Sequence, residues 1–229
     1  PAPLRPMNAP TNSKATGPLT VITGASSGIG QHLAIALMAR GHRVIGIARR
    51  RERLDALAQA HPAFIPLELD LLDAPSREGL APRVIEAHGV PDYLILNAGL
   101  AHYGKLEKIT GPQVAEQVGL NRLAVIQGAQ AFLPAFLARG GGRILIVSSV
   151  LGVGVIPYAS TYCATKFGVN GFVRGLRVDL RGSGVSASAL CPAGVVTEFR
   201  KVATGTADPK AMGQEPVERV VAGMVRQLD

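Results

Sequence analysis

Tyr162 and Lys166 stand four residues apart at the end of the stretch SSVLGVGVIPYASTYCATK, Ser148 to Lys166. In a helix, residues at that spacing share a face with Cβ atoms roughly 5–6 Å apart, so an ammonium at one can favour a phenolate at the other. An ordinary tyrosine has a pKa of about 10 and is a poor acid or base near neutrality. Bringing it to about 7 takes about 4 kcal/mol of preference for the phenolate, which a cation in a partly dry site can supply. Tyr158 competes for the role, but the residue four places beyond it is a tyrosine and not a cation. Tyr162 is therefore the candidate general acid/base. A bare Y-x-x-x-K also fits the solvated face of an ordinary helix, so its surroundings carry the weight.

Those surroundings are strands that end in small polar residues. GRILIV (Gly142 to Val147) reads as an apolar strand that delivers Ser148 and Ser149 to its carboxyl end, where α/β proteins place ligands. Ser149 lies thirteen positions before Tyr162. Near the amino end, LTVIT (Leu19 to Thr23) is a second apolar strand. It runs straight into GASSGIG and the helix pattern GQHLAIALMARG, with Ile29, Leu33, Ala36 and Leu37 on one face. Gly24, Gly28 and Gly30 let the backbone approach a pyrophosphate, and the helix dipole favours its charge. Gly24, Ser26, Ser27, Gly28, Ile29 and Gly30 are accordingly candidate cofactor contacts.

HRVIGIA makes the next strand. Where an acidic residue would hold the ribose hydroxyls of NAD, the sequence has Ala48, followed by Arg49, Arg50 and Arg51. Arg49 is the candidate anchor for the 2′-phosphate of NADP, with Arg50 or Ser26 assisting, because a guanidinium can pair with phosphate through two donors. NADP(H) is the preferred cofactor and NAD(H) stays open, as does a merely solvated basic helix start.

FIPLELD (Phe64 to Asp70) is a third strand, a helix is expected over 75–88, and DYLIL leads into Asn97, Ala98 and Gly99. A long helix from about Thr110 to Arg139 contains Asn121 in VGLNRLAVIQGAQAFLP, where asparagine is a mediocre helix former. The helix after Lys166 places Phe167, Phe172, Val173 and Leu176 for packing. VSASALCP gives a sixth strand and leads into AGVVTEF, with Pro192, Gly194, Val195 and Thr197. The glycine loop, N-A-G, Asn121, Ser149, Y-x-x-x-K and the P…V-x-T element occur in the order found in the short-chain dehydrogenase/reductase family, which the chain resembles over about residues 19–229. Ala193 stands where that family usually has glycine.

The resemblance, together with strands alternating with helices, implies an α/β fold of Rossmann type: one doubly wound parallel sheet in the order 3-2-1-4-5-6, with helices on both faces. It further implies that Asp70 meets the adenine amino group and the Leu71 backbone its ring. Asn97, Ala98 and Gly99 would line the cofactor, and Pro192, Gly194, Val195 and Thr197 the nicotinamide. By the same resemblance Ser149 holds a carbonyl oxygen and Tyr162 protonates it as hydride arrives. Lys166 binds the nicotinamide ribose and tunes Tyr162, while the Asn121 backbone holds a water on the proton path. The expected activity is NADP(H)-dependent carbonyl reduction or alcohol oxidation. A short-chain epimerase and a catalytically idle NADP-binding sensor are the rivals.

The chain of 229 residues carries 17% charged residues, no tryptophan and a net charge of +8. One domain over 19–229 is expected, with a flexible leader over 1–18 in which Met7 is a candidate natural start. Basic residues are scattered apart from the cluster at 49–53 and aromatics are few, so a small anionic ligand is expected and a nucleic acid is not. The two cysteines, Cys163 and Cys191, and the histidines show no metal-ligand spacing, and no metal is expected. No apolar run is long enough to span a membrane, and nothing resembles a signal peptide. A soluble, cytoplasmic homodimer or homotetramer is the expectation. The apolar LGVGVIP loop suits a moderately hydrophobic carbonyl or alcohol substrate, and the polar stretch at about 198–215 reads as a lid over it.

Overall fold

The computed structural model describes residues 17–199, 203 and 214–228. The chain runs β1 (Leu19–Thr23), α1 (Gly28–Met38), β2 (Arg43–Ala48), α2 (Arg51–Ala60), β3 (Phe64–Glu68), α3 (Ala74–Glu78), α4 (Leu80–His88) and β4 (Tyr93–Leu96). It continues with α5 (Gly111–Val118), α6 (Ala124–Arg139), β5 (Gly142–Val147), α7 (Ser160–Asp179), β6 (Val185–Leu190), β7 (Gly194–Val195), β8 (Gln214–Glu215) and α8 (Val217–Leu228). The leader expected over 1–18 lies outside the described residues, Gly17 and Pro18 excepted. Of the expected lid only Glu198, Phe199, Ala203, Gln214 and Glu215 are described.

Six strands form one parallel sheet in the order β3-β2-β1-β4-β5-β6, as the alternation of strands and helices implies. Successive side chains of a strand point to opposite faces, and both faces are buried. Val21, Leu94, Leu96, Ile144 and Ile146 pack toward α4, α6 and α7. Ile22, Ile95, Leu145 and Val147 pack toward α1, α2 and α8. Burying each such side chain contributes about 1.5–3 kcal/mol relative to leaving it exposed.

Five local features depart from the expected pattern. β3 stops at Glu68, and Asp70 instead accepts the Leu72 N–H through Oδ1 at 2.9 Å, a local turn that ends the strand. The helix expected over 75–88 is two, meeting at Gly79. The long helix at 110–139 starts in a capping box between Thr110 and Gln113 and passes through one π turn, Gly119–Leu123, before α6. Phe167, expected in the packing, is exposed, whereas Val173 and Leu176 are buried. The small β7–β8 pair, absent from the expected pattern, is too short to leave a periodic signal.

β1, β4, β5 and β6 run side by side, and because the sheet is parallel their carboxyl ends open on one edge. The glycine loop, the Asn97 segment, Ser149 and Pro192 therefore converge there.

Candidate functional site

Burial is the first property of the Ser149, Tyr162 and Lys166 cluster. Tyr162 and Lys166 lie in the first two turns of α7 and are both buried, whereas Tyr158 is exposed with a left-handed backbone (φ 65°). The Ser149 hydroxyl, two residues past the end of β5, stands close enough to the Tyr162 phenol to favour its ionised form. It also accepts the Leu151 N–H at 3.1 Å, which fixes its position. The Tyr162 ring is flanked by Tyr103, edge-on at a centroid distance of 5.7 Å, and by Phe199 at 5.8 Å.

The lysine head does not sit on the phenol oxygen. Lys166 Nζ donates to the Val147 carbonyl at 2.9 Å and lies 5.7 Å from the Tyr162 ring centroid. The expected fall of the Tyr162 pKa is accordingly not found. Burial pushes the phenol above its ordinary value, Tyr103 adds to this, and the Ser149 hydroxyl opposes it. Burial likewise pushes the Lys166 ammonium down to about 8, against a smaller opposing pull from Cys191. Low dielectric disfavours the charged form of each group, so both move toward neutrality.

Asn121 reaches this cluster from the π turn. It is fully buried, its Oδ1 accepts the Leu100 N–H at 2.8 Å, and its Nδ2 donates to the Leu100 carbonyl at 2.7 Å and to Thr165 Oγ at 3.3 Å. A Cβ on Gly99 would stand 3.2 Å from Asn121 Oδ1 and 3.8 Å from Lys166 Nζ, so Gly99, Asn121 and Lys166 meet at one point. π turns arise where one residue is inserted into a helix, and they are frequent at functional sites. From the loop after β4, Tyr103 touches Tyr162, whereas His102 turns away to Glu116, with Nε2 and Oε2 2.7 Å apart.

The glycine loop assembles the other end of the candidate site. Gly24 has φ 71°, and a Cβ on it would lie 2.9 Å from Ala98 Cα; one on Gly30 would lie 2.3 Å from the Gly24 carbonyl. Only glycine permits that approach of α1 to β4. Asn97 fastens the crossing: its Nδ2 donates to the Thr23 carbonyl at 2.9 Å, and its N–H and that of Ala98 reach Thr23 Oγ at 2.9 and 3.0 Å. Ser27 stands at the N-cap of α1 and makes no side-chain cap, which leaves the positive end of the helix dipole facing the crevice between β1 and β4.

Arg50, rather than Arg49, is the guanidinium engaged with this loop. Its Nε donates to Ser26 Oγ at 3.1 Å and its Nη2 to Ser27 Oγ, while Arg49 is exposed at the end of β2. Leu71 is buried in the core beside the exposed Asp70. The Pro192 carbonyl accepts the Val150 N–H at 3.0 Å, Val195 lies in β7, and a Cβ on Gly28 would meet Thr197 Cβ at 3.3 Å. The sequence reading missed three participants: Phe199, Glu198 and the Val147 carbonyl. Phe199 and Glu198 follow Thr197 directly, which was the available signal; the carbonyl leaves none. Among the described residues no cluster of side chains could hold a metal ion.

The short chain dehydrogenase family profile matches residues 18–207. The chain belongs to that family. As a short chain dehydrogenase it is an oxidoreductase by class. It is 32% identical over 190 residues to an uncharacterized oxidoreductase of Listeria innocua, covering 80% of this chain and 77% of that one. It is 34% identical over 198 residues to human 17-beta-hydroxysteroid dehydrogenase type 1, covering 82% of this chain and 60% of that protein. The short-chain dehydrogenase of Sphingobium yanoikuyae in complex with NADPH superposes with a TM-score of 0.86 at 32% identity, over 93% of this chain and 84% of that one.

Proposed function

We propose that this short chain dehydrogenase transfers hydride between NADP(H) and a carbonyl or alcohol substrate, with Ser149, Tyr162 and Lys166 as its catalytic side chains. The observation that carries the reading is the burial of Ser149, Tyr162 and Lys166 together, with the lysine Nζ 5.7 Å from the Tyr162 ring centroid. A phenol held neutral at pH 7 is a proton donor, which is the role needed in carbonyl reduction.

The bound cofactor supplies the hydride. Ser149 holds the substrate oxygen, and the Tyr162 O–H bond breaks as its proton passes to that oxygen. Lys166 and the Asn121 turn lie where a replacement proton can reach the phenolate. The residues suit the dinucleotide: α1 offers an uncapped N-terminus for the pyrophosphate, Asn97, Ala98 and Gly99 form the opposite wall, and Asp70 and Leu71 stand at the adenine end. Pro192, Gly194, Val195 and Thr197 are assigned to the nicotinamide. Arg50, with Ser26 and Arg49, would take the 2′-phosphate. The NADPH complex of the Sphingobium enzyme supports the same cofactor here. A cytoplasmic homodimer or homotetramer belongs to this reading: Val118, Leu123 and Phe167 are large apolar side chains left exposed, and no described helix is long and apolar enough to cross a membrane.

The test is NADPH consumption by the purified protein across a panel of ketones, aldehydes and acyl thioesters. Sustained consumption with at least one class is the expected result. Tight NADPH binding with no consumption by any of them would favour an idle or isomerising protein.

A further inference from the structure

The Glu198 carboxylate is spread across two guanidinium groups. Arg50 Nη1 donates to Oε2 at 3.1 Å, and Arg53 Nη1 donates to Oε1 and Oε2 at 3.0 and 2.9 Å. Arg50 simultaneously donates to the hydroxyls of Ser26 and Ser27 in the glycine loop. The neighbouring Thr197 packs against Gly28 of that loop, which carries the carboxylate to its mouth. Two guanidinium groups and two hydroxyls thus face one another where α1 and α2 begin, and the group between the guanidiniums is an anion that the protein itself provides.

A guanidinium uses the same fork of N–H donors for a carboxylate as for a phosphate, so the two anions compete for it. We propose that Glu198 is an internal competitor for the cofactor's 2′-phosphate, and that it thereby sets how strongly the protein selects NADP(H) over NAD(H). The inference rests on the NADP reading above. When the phosphate arrives, Arg50 and Arg53 exchange the carboxylate for it, and Glu198, already about half exposed (52%), is released to water. NADH has no 2′-phosphate and leaves both ion pairs in place. Glu198 is a specificity-determining residue in this account and touches no reacting atom.

The experiment is a fluorescence titration of the full chain, wild type and Glu198→Gln, with NADPH and with NADH. Displacement by adenosine 2′,5′-bisphosphate isolates the phosphate end. Each exposed pair is weak, so Glu198→Gln should tighten NADPH and the bisphosphate by about two- to tenfold at low salt, leave NADH within about twofold, and steepen the salt dependence of the NADPH preference, because the guanidiniums are then unneutralised before the phosphate arrives. Glu198→Asp, which keeps the charge, should stay closer to wild type than the glutamine variant. Equal shifts for NADPH and NADH, or no tightening of NADPH, would overturn the proposal. If the wild type prefers NADPH and Glu198→Gln changes nothing, this inference fails alone; if the wild type prefers NADH, the NADP reading fails and takes this one with it.

Discussion

At the Ser149–Tyr162–Lys166 end all three side chains are buried, with Ser149 held by the Leu151 N–H, Lys166 by the Val147 carbonyl and Tyr162 between the rings of Tyr103 and Phe199. At the nucleotide end Arg50, Arg53 and Glu198 are about half exposed and tied to one another and to two loop hydroxyls. Burial moves Tyr162 up and Lys166 down, whereas the shift at Glu198 is downward and comes from its arginine hydrogen bonds. In the first region low dielectric sets protonation, and water and salt have little access. In the second, the charges persist but each pair is cheap to exchange. A reaction centre needs the first arrangement, and a site that must release one anion to take another needs the second.

The largest expected effect is at the buried end. Tyr162→Phe keeps the ring between Tyr103 and Phe199 but removes the proton, so turnover should fall by about 10²–10⁴-fold while the NADPH dissociation constant stays within about twofold. Steady-state rates beside a binding titration read this; a variant that keeps full rate would remove the proton-donor role. Next comes Asn121→Ala. It strands the Leu100 N–H and carbonyl, and each buried group left unpaired costs about 1–3 kcal/mol. Urea unfolding should show a lowered midpoint, and an unchanged one would mean that this network does not hold the fixed end together.

Lys166 gives a pH signature. Its folded pKa of about 8 lies below the ordinary 10.5, so between those values the unfolded chain binds a proton that the folded chain does not. Stability should therefore rise with pH through that window. Tyr162 acts oppositely: its folded pKa is raised, the unfolded chain ionises first, and stability should fall as pH climbs past about 10. Denaturation of wild type and Lys166→Met between about pH 7.5 and pH 9.5 isolates the lysine, and the variant should lack the rise. An equal rise in both would show that the ammonium is solvated. The smallest effect belongs to the exposed end: Arg50→Ala should weaken NADPH by about tenfold at low salt and NADH much less. Equal weakening in a titration of both would reduce Arg50 to a support for the glycine loop.

The sheet was legible because its strands are short apolar runs, with glycine or asparagine at their ends, alternating with helical periodicity. The residues that meet at the carboxyl edge were legible for the same reason, since strand order brings Ser149, Asn97 and the glycine loop together. Spacing could place Lys166 beside Tyr162 but not say where its head would go. Four methylenes let the ammonium reach the Val147 carbonyl, and burial then reversed the direction expected for the tyrosine. Asn121 looked out of place in a helix, and the π turn is the structural counterpart. Glu198 was not legible as a partner of Arg50, because the two are 148 positions apart and no periodic pattern connects them.

Ionic strength separates the two ends in one measurement. Raising potassium chloride from about 0.1 M to about 1 M shortens the screening length from about 10 Å to about 3 Å, which weakens exposed charge pairs and leaves buried ones nearly untouched. The dissociation constant for NADPH and the turnover rate at saturating NADPH would be followed together. A dissociation constant that climbs while the saturated rate holds steady is the predicted result. A steady dissociation constant with a falling saturated rate would contradict the division between a buried reaction centre and an exchangeable anion site.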